Sequence, residues 1–279
     1  MKRIILTNLV ILLIITFLIE SIFFLINKVK GNIDVGFLIT GKIFKTMDDH
    51  CQLMKTHPIL GHEHDHKNKC KILGGKINEK KAGSFGDVAG TSFFPAKPLG
   101  CYGDGGAIFT NDDELAHKMK SIRVHGGGVD KYENVRLGIN GRLDTIQATI
   151  LLEKIEIFDM ELKLRNRAAN YYTQNINNLC IPPYIPDKYF SSWAQYSIVL
   201  PDSINRYELI EKLNKNEIPS MIYYKIPNHL QEGYRKYGNQ LGDFKMSEDI
   251  SKKILSLPLH PYLDENSQDK VLEVINSFN

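Results

Sequence analysis

Apolar and polar positions follow different rhythms in different stretches of the chain. Residues 4–26 are apolar apart from Thr7, Asn8, Thr16, Glu20 and Ser21, with Lys2 and Arg3 before them and Lys28 and Lys30 after. About 23 residues of helix rise about 35 Å, enough to cross a bilayer. The run predicts a membrane-associated helix, with a helix buried in an α/β core as the rival reading. No small-residue cleavage site follows, which argues against a secretory signal. Basic residues on both flanks give the helix no orientation.

From Gly83 onward the pattern alternates between strand and helix. Residues 88–94 and 107–110 predict two short strands. Asn111-Asp112-Asp113-Glu114 reads as a capping box opening a helix with Leu115, Met119 and Ile122 on one face, stopped by Gly126 to Gly128. Asp144-Thr145-Ile146-Gln147 reads as a second capping box at the head of a long helix. That helix carries two apolar rows, Ile146, Ile150, Ile157 and Ala148, Leu151, Ile155, Phe158, Leu162, both suited to burial against a sheet. Beyond Arg165 the pattern predicts a smaller α+β unit, with strands at 195–200 and 221–224 and helices at 207–214, 247–255 and 268–278. The expected organisation is an apolar helix (1–30), a divergent region (31–70), a large-domain segment with the long helix (71–165) and a C-terminal domain (166–279).

Composition narrows the function classes. With 43% hydrophobic residues, the 279-residue chain holds one large domain or a large and a small one. A net charge of +3, without a block of like charges, argues against nucleic acid as a partner. Cys51, Cys70, Cys101 and Cys180 have no paired spacing, which suits reduced thiols in a cytoplasmic setting. His62, His64 and His66 alternate between Cys51 and Cys70. Their spacing matches no standard metal site and an exposed polar loop explains it equally well, so no metal is assigned.

The stretch from Thr91 to Ala107 names a chemistry. Lys97 stands between Pro95 and Pro98, five residues after Ser92 and just before a glycine-rich turn. Pro95 fixes its own φ and Pro98 pushes Lys97 towards an extended conformation, so the amine is presented at a fixed point. Phe93, Phe94 and Leu99 are apolar neighbours, and desolvation disfavours the ammonium form. A lysine held this way suits imine chemistry. The competing reading is a surface lysine in a Pro/Gly loop.

Residues 83–112, GSFGDVAGTSFFPAKPLGCYGDGGAIFTND, resemble the lysine segment of the DegT/StrS-type nucleotide-sugar aminotransferases. The family has the fold-type I architecture, an α/β large domain with a smaller α+β C-terminal domain, and uses pyridoxal 5′-phosphate (PLP). The resemblance implies that Lys97 holds PLP as a Schiff base and that Ser92 binds its phosphate. It implies that Asn140, in Leu137-Gly-Ile-Asn-Gly-Arg142, reaches the PLP phosphate of a partner subunit, and that Arg142 lies by the sugar nucleotide. His229, in residues 222–231, falls where the family has a histidine near substrate, although Asn228 replaces the usual leucine before it. The Leu255-Ser-Leu-Pro-Leu-His-Pro261 match reads as structural.

The resemblance weakens upstream. Read back without gaps from Leu73, Asn68 occupies the place of the aspartate that pairs with the pyridine nitrogen, and Lys71 replaces a glutamine. A neutral Asn68 can hydrogen-bond to that nitrogen but cannot stabilise its charge; Glu63 and Asp65 are the nearby carboxylates. The family's phosphate turn and ring-stacking aromatic have no counterpart upstream. The expected fold is therefore an incomplete fold-type I large domain with its small domain, behind an apolar helix. The expected function is transamination of a nucleotide-linked keto sugar, with glutamate as donor and a homodimer as the assembly, impaired in this chain. Its closest wording matches the branch that aminates a 3-keto N-acetylglucuronate sugar. The alternative is a non-catalytic remnant or a membrane-tethered binding partner of an intact paralogue.

Overall fold

The computed structural model describes residues 74–130, 132–177 and 179–278, together with the backbone of Leu60–Gly61. The apolar run at 4–26, the histidine-rich stretch at 62–66 with Cys51 and Cys70, and Asn68, Glu63, Asp65 and Lys71 lie outside the described residues. Among the described residues no helix is long and apolar enough to cross a membrane.

Among the described residues, three short strands form the sheet that carries the lysine segment. β4 (Val88–Ser92) pairs antiparallel with β5 (Gly106–Thr110), in register Ser92 to Gly106. On the other side of β5 lies β1 (Leu60–Gly61), in parallel. A small antiparallel group, β3 (Lys80–Lys81), β2 (Lys76–Ile77) and β6 (Tyr189–Phe190), ties the start of the described chain to the segment after the long helix.

Helix α1 (Asp113–Arg123) follows β5, capped by Asp112, whose carboxylate accepts the Leu115 N–H at 2.9 Å. The cap is one residue later than the sequence pattern indicates, because Asn111 completes the strand exit and Asp112 has the extended backbone a cap requires. Helix α2 (Thr145–Asn175) is 31 residues long, about 46 Å at 1.5 Å per residue. Asp144 stands at its N-cap with no side-chain cap bond. The expected capping box does not form, since Gln147 is engaged elsewhere.

The long helix serves two cores. Its N-terminal half buries Ala148, Leu151, Ile155, Phe158 and Leu162 against Phe93, Leu99, Cys101, Ala107 and Phe109. Its last turns bury Ala169 and Tyr172 in the C-terminal core with Trp193, Tyr196, Leu209 and Leu255. Only one of the two apolar rows is covered: Ile146 is 73% exposed and Ile157 41%. A helix laid on a sheet buries one stripe, and the second row falls outside it.

The C-terminal part contains β7 (Tyr196–Val199) paired antiparallel with β8 (Ile254–Leu257), flanked by α3 (Arg206–Lys215), α4 (Lys245–Lys253) and α5 (Glu265–Asn276). Two expectations change here. The helix predicted to reach 255 ends at Lys253, because Leu255 and Leu257 enter the sheet core. Residues 221–224 form no strand; only Met221 bridges to Ser256.

Candidate active site

The β4–β5 connection is held as a rigid arch. The Phe93 N–H donates to the Gly105 carbonyl and the Cys101 N–H to the Phe93 carbonyl, both at 2.8 Å. Within the arch the Lys97 N–H donates to the Phe94 carbonyl at 2.8 Å. Phe93 and Leu99, both buried, anchor its two feet. Helix α2 fastens the arch from below, where Lys154 Nζ donates to the Gly100 carbonyl at 2.6 Å and Gln147 Oε1 accepts the Tyr102 N–H at 2.8 Å. Gly100 is required by crowding: a Cβ there would lie 2.6 Å from the Pro95 carbonyl oxygen and 2.7 Å from that of Phe94.

The apolar neighbours do not desolvate Lys97 as expected. Phe93 and Leu99 turn into the core, Phe94 is 51% exposed and Lys97 itself is exposed. Residues adjacent in sequence on a tight arch point to opposite sides, and the side chains that anchor the arch cannot also cover its tip. Lys97 instead lies on the wall of two cavities. One, of about 270 Å³, is shared with Gly90, Ser92, Phe158 and Ser192. The other, of about 570 Å³, opens towards the C-terminal part and includes Arg165, Ser220, Tyr224 and His260.

Ser92 ends β4 beside that smaller cavity. Its Oγ accepts the Phe94 N–H at 3.1 Å, leaving the hydroxyl proton available to donate. Gly90, on the same exposed face of β4, has open space where a Cβ would stand. A lysine without an ion pair among the described residues, a free hydroxyl donor and an open strand face suit an aldehyde-bearing, phosphorylated ring.

Asn140 and Arg142 lie apart from both cavities. The loop that carries them packs on the end of α1, with the Ile139 N–H donating to the Ile122 carbonyl at 2.7 Å and the Gly141 N–H to the Arg123 carbonyl at 2.8 Å. Asn140 Oδ1 accepts from Arg142 Nε at 3.0 Å, and both residues are exposed. Leu137, 97% exposed, and Ile139, 62% exposed, flank them.

His229 is also placed away from Lys97. Its Nε2 meets Glu248 Oε1 at 2.9 Å, with both side chains more than nine-tenths buried. It lines a third cavity of about 490 Å³ with Tyr223 and Tyr224, which also border the larger Lys97 cavity. The sequence marks neither Arg165 nor Ser220, and His260 falls in the 255–261 stretch that reads as structural, yet all three stand on the Lys97 cavity. No pattern in the sequence distinguishes Arg165 from the other basic residues of its helix, and the convergence arises only from folding.

The arch has counterparts in known proteins. Over 202 residues the chain is 40% identical to the UDP-2-acetamido-2-deoxy-3-oxo-D-glucuronate aminotransferase of Pseudomonas aeruginosa, covering 72% of this chain and 54% of that protein. The crystal structure of a DegT DnrJ EryC1 StrS aminotransferase from Brucella abortus is 50% identical, with a TM-score of 0.70, covering 74% of this chain and 54% of that one. NtdA from Bacillus subtilis, solved with bound cofactor PMP, is 26% identical with a TM-score of 0.61, covering 71% of this chain and 47% of that one. The chain thus spans about half the length of the curated relatives it matches. The DegT/DnrJ/EryC1/StrS aminotransferase family model matches residues 67–276, which take in the arch, the long helix and the C-terminal core. The chain belongs to the DegT/DnrJ/EryC1/StrS aminotransferase family.

Proposed function

We propose that this chain carries the lysine-bearing part of a PLP-dependent transaminase. It moves an amino group from an amino acid, glutamate, to a keto sugar linked to a nucleotide, for surface glycan synthesis. The observation that carries the reading is Lys97, its backbone held on an arch and its side chain bordering two cavities, with Ser92 beside one of them. Bound PLP supplies an electron sink for moving the amino group. Lys97 would hold its aldehyde and Ser92 would donate to its phosphate. Once the incoming amine has displaced it from that aldehyde, Lys97 Nζ would take a proton from one reacting carbon and return it to the other.

A second copy of the chain fits the exposed face around Asn140. The apolar side chains of Leu137 and Ile139 stand exposed in the loop that carries Asn140 and Arg142. An asparagine contributed from one copy to the cofactor phosphate of the other, and an arginine beside the sugar nucleotide, agree with that placement. His229 is held facing the neighbouring cavity, where it approaches the substrate.

One observation favours a second reading, in which the chain binds but turns over poorly. Asn68 stands where the family has an acid, so the charge on a pyridine nitrogen has no counterion from that position. In that form the chain acts as the partner of an intact relative.

The test is spectroscopic. Purified chain with PLP gives a visible absorption band that disappears in Lys97→Ala, and added glutamate bleaches it. Absence of any band at saturating PLP would overturn the proposal. A band that glutamate leaves unchanged identifies the binding-only form, and Asn68→Asp then restores bleaching.

A further inference from the structure

Lys97 is held through its backbone alone. Its side chain is exposed, and its Nζ has no hydrogen-bond or ion-pair partner among the described residues. Where the amine stands therefore depends on the arch, and the arch depends on what secures its exit, Gly100 to Gly103. Two side chains of α2 do so. Lys154 Nζ donates to the Gly100 carbonyl at 2.6 Å, and Gln147 Oε1 accepts the Tyr102 N–H at 2.8 Å. Seven residues turn a helix through about 700°, about 20° short of two full turns, so both side chains leave one face of α2.

The two anchors differ in kind. The Lys154 ammonium is half-buried and is spent on two neutral acceptors, the Gly100 carbonyl and the face of the Tyr102 ring, whose centroid is 4.9 Å away. Taking an ammonium partly out of water is costly, and a methionine would fill the same space without that cost. What only the cation supplies is a charge-assisted hydrogen bond at a defined point. That point lies against the reactive lysine. Gly100 is packed so closely that a Cβ would stand 2.6 Å from the Pro95 carbonyl oxygen and 2.7 Å from that of Phe94. The same Phe94 carbonyl accepts the Lys97 N–H at 2.8 Å. A shift of Gly100 thus reaches Lys97 from backbone to backbone, with no flexible side-chain tip between them to absorb it.

We infer that Lys154, with Gln147 as the second anchor, is a positioning residue for Lys97. By fixing the Gly100 carbonyl it holds the arch, and with it the lysine amine, at one approach to the carbonyl carbon that the amine attacks. The inference rests on the transaminase reading for the identity of that carbonyl, the PLP aldehyde. In that reaction the Lys97 nitrogen forms the C=N bond, and the aldehyde oxygen leaves as water with the two amine hydrogens. Such a step needs its reacting atoms placed to within about 0.5 Å. Loosening the arch therefore slows the reaction more than it weakens the fold.

Stopped-flow absorbance of the full chain mixed with saturating PLP reads the rate at which the visible band appears. Lys154→Met keeps the stem and removes the donor, whereas Lys154→Arg keeps a donor and the charge. Lys154→Met is expected to slow the band about 10-fold with an unchanged circular dichroism spectrum, and Lys154→Arg to recover most of the rate. A merely structural lysine would lower the urea midpoint and leave the rate alone. Hydrogen exchange of the chain without PLP gives an independent reading. The Lys97 and Cys101 N–H groups, which donate to the Phe94 and Phe93 carbonyls, are expected to exchange about 10-fold faster in Lys154→Met. If that variant does not fold, Gln147→Met, which removes the other anchor, carries both expectations. An unchanged rate in the folded variant, no recovery in Lys154→Arg, or unaltered exchange at Lys97 and Cys101 would overturn the inference. A wild-type chain that gives no band sinks the transaminase reading, and exchange then decides alone whether Lys154 holds the arch.

Discussion

Gln147 Oε1 accepts the backbone N–H of Tyr102 at 2.8 Å, joining the first turn of the long helix to the turn that follows Lys97. The two residues are 45 positions apart. The bond explains why a residue placed for N-capping does not cap: its amide is used to hold the arch. A Cβ on Gly103 would also stand 3.0 Å from Gln147 Nε2, so the turn and the helix are in close contact. Gln147→Ala should cost about 1 kcal/mol, seen as a lower urea midpoint. Gln147→Glu, which keeps an acceptor, should retain most of the wild-type midpoint.

Gly100 is the tightest point of the arch. A methyl there meets two backbone carbonyl oxygens, which cannot move aside as a side-chain tip would. Gly100→Ala should destabilise by about 1–3 kcal/mol and weaken the PLP band more than it lowers secondary-structure content. Absorbance and circular dichroism on the same sample separate the two effects. An unaltered band would show that the arch tolerates a shift.

Tyr172 and Tyr196 pack with ring centroids 5.1 Å apart, and both are fully buried. Tyr196 shares a 2.9 Å hydrogen bond with Thr173, whereas the Tyr172 hydroxyl has no partner among the described residues. Tyr172→Phe should therefore be neutral or slightly stabilising, and Tyr196→Phe should cost about 1 kcal/mol. Burial pushes the Tyr172 phenol far up, and pushes Tyr196 up to about 12 against the lowering effect of Thr173. Raised phenol pKa values mean stability that is complete below about pH 10 and is lost as the pH climbs through the folded values. Tyr172→Phe should retain more of its stability above pH 10 than wild type in a thermal-melt series.

Glu248 organises the segment that presents His229. Its carboxylate accepts from His229 at 2.9 Å, from the Gly242 N–H at 2.9 and 3.0 Å and from the Phe244 N–H at 3.3 Å. Burial acts to raise its pKa, but the Gly242, His229 and Phe244 hydrogen bonds prevail and hold it below the usual value. A lowered carboxylate pKa gives stability that is present above about pH 4.3 and lost as the pH falls through the folded value. Hydrogen exchange at Gly242 and Phe244, corrected for intrinsic rates, should accelerate in that acid range. Glu248→Gln should bring the faster exchange to neutral pH. Equal protection in the variant would show that the carboxylate charge is not what holds the loop.

Much of the framework was legible because local signals there agree with global packing. The two strands around Lys97, the buried row from Ala148 to Leu162 and the long helix all came from periodicity that the core then used. The misplaced features have different causes. Asp112 displaced Asn111 as cap, the 247–255 helix yielded its end to β8, and the expected 221–224 strand reduced to one bridge. The cap was decided by local backbone geometry, whereas sheet pairing with Tyr196–Val199 and the bridge to Ser256 decided the other two.

The sequence by itself determined the family and singled out Lys97 as the candidate lysine, because proline stiffness, glycine crowding and the order of residues 83–112 are local properties that survive without a fold. Only the tertiary structure decided that Lys97 stands exposed between two cavities, that Asn140 and Arg142 face away from them, and that His229 is tied to Glu248. It also brought Arg165 and Ser220, 55 positions apart in the chain, to the lining of one cavity. Such convergence depends on how helices and strands cross, and a linear pattern has no record of which distant side chains share a cavity or leave a hydrogen bond unmade.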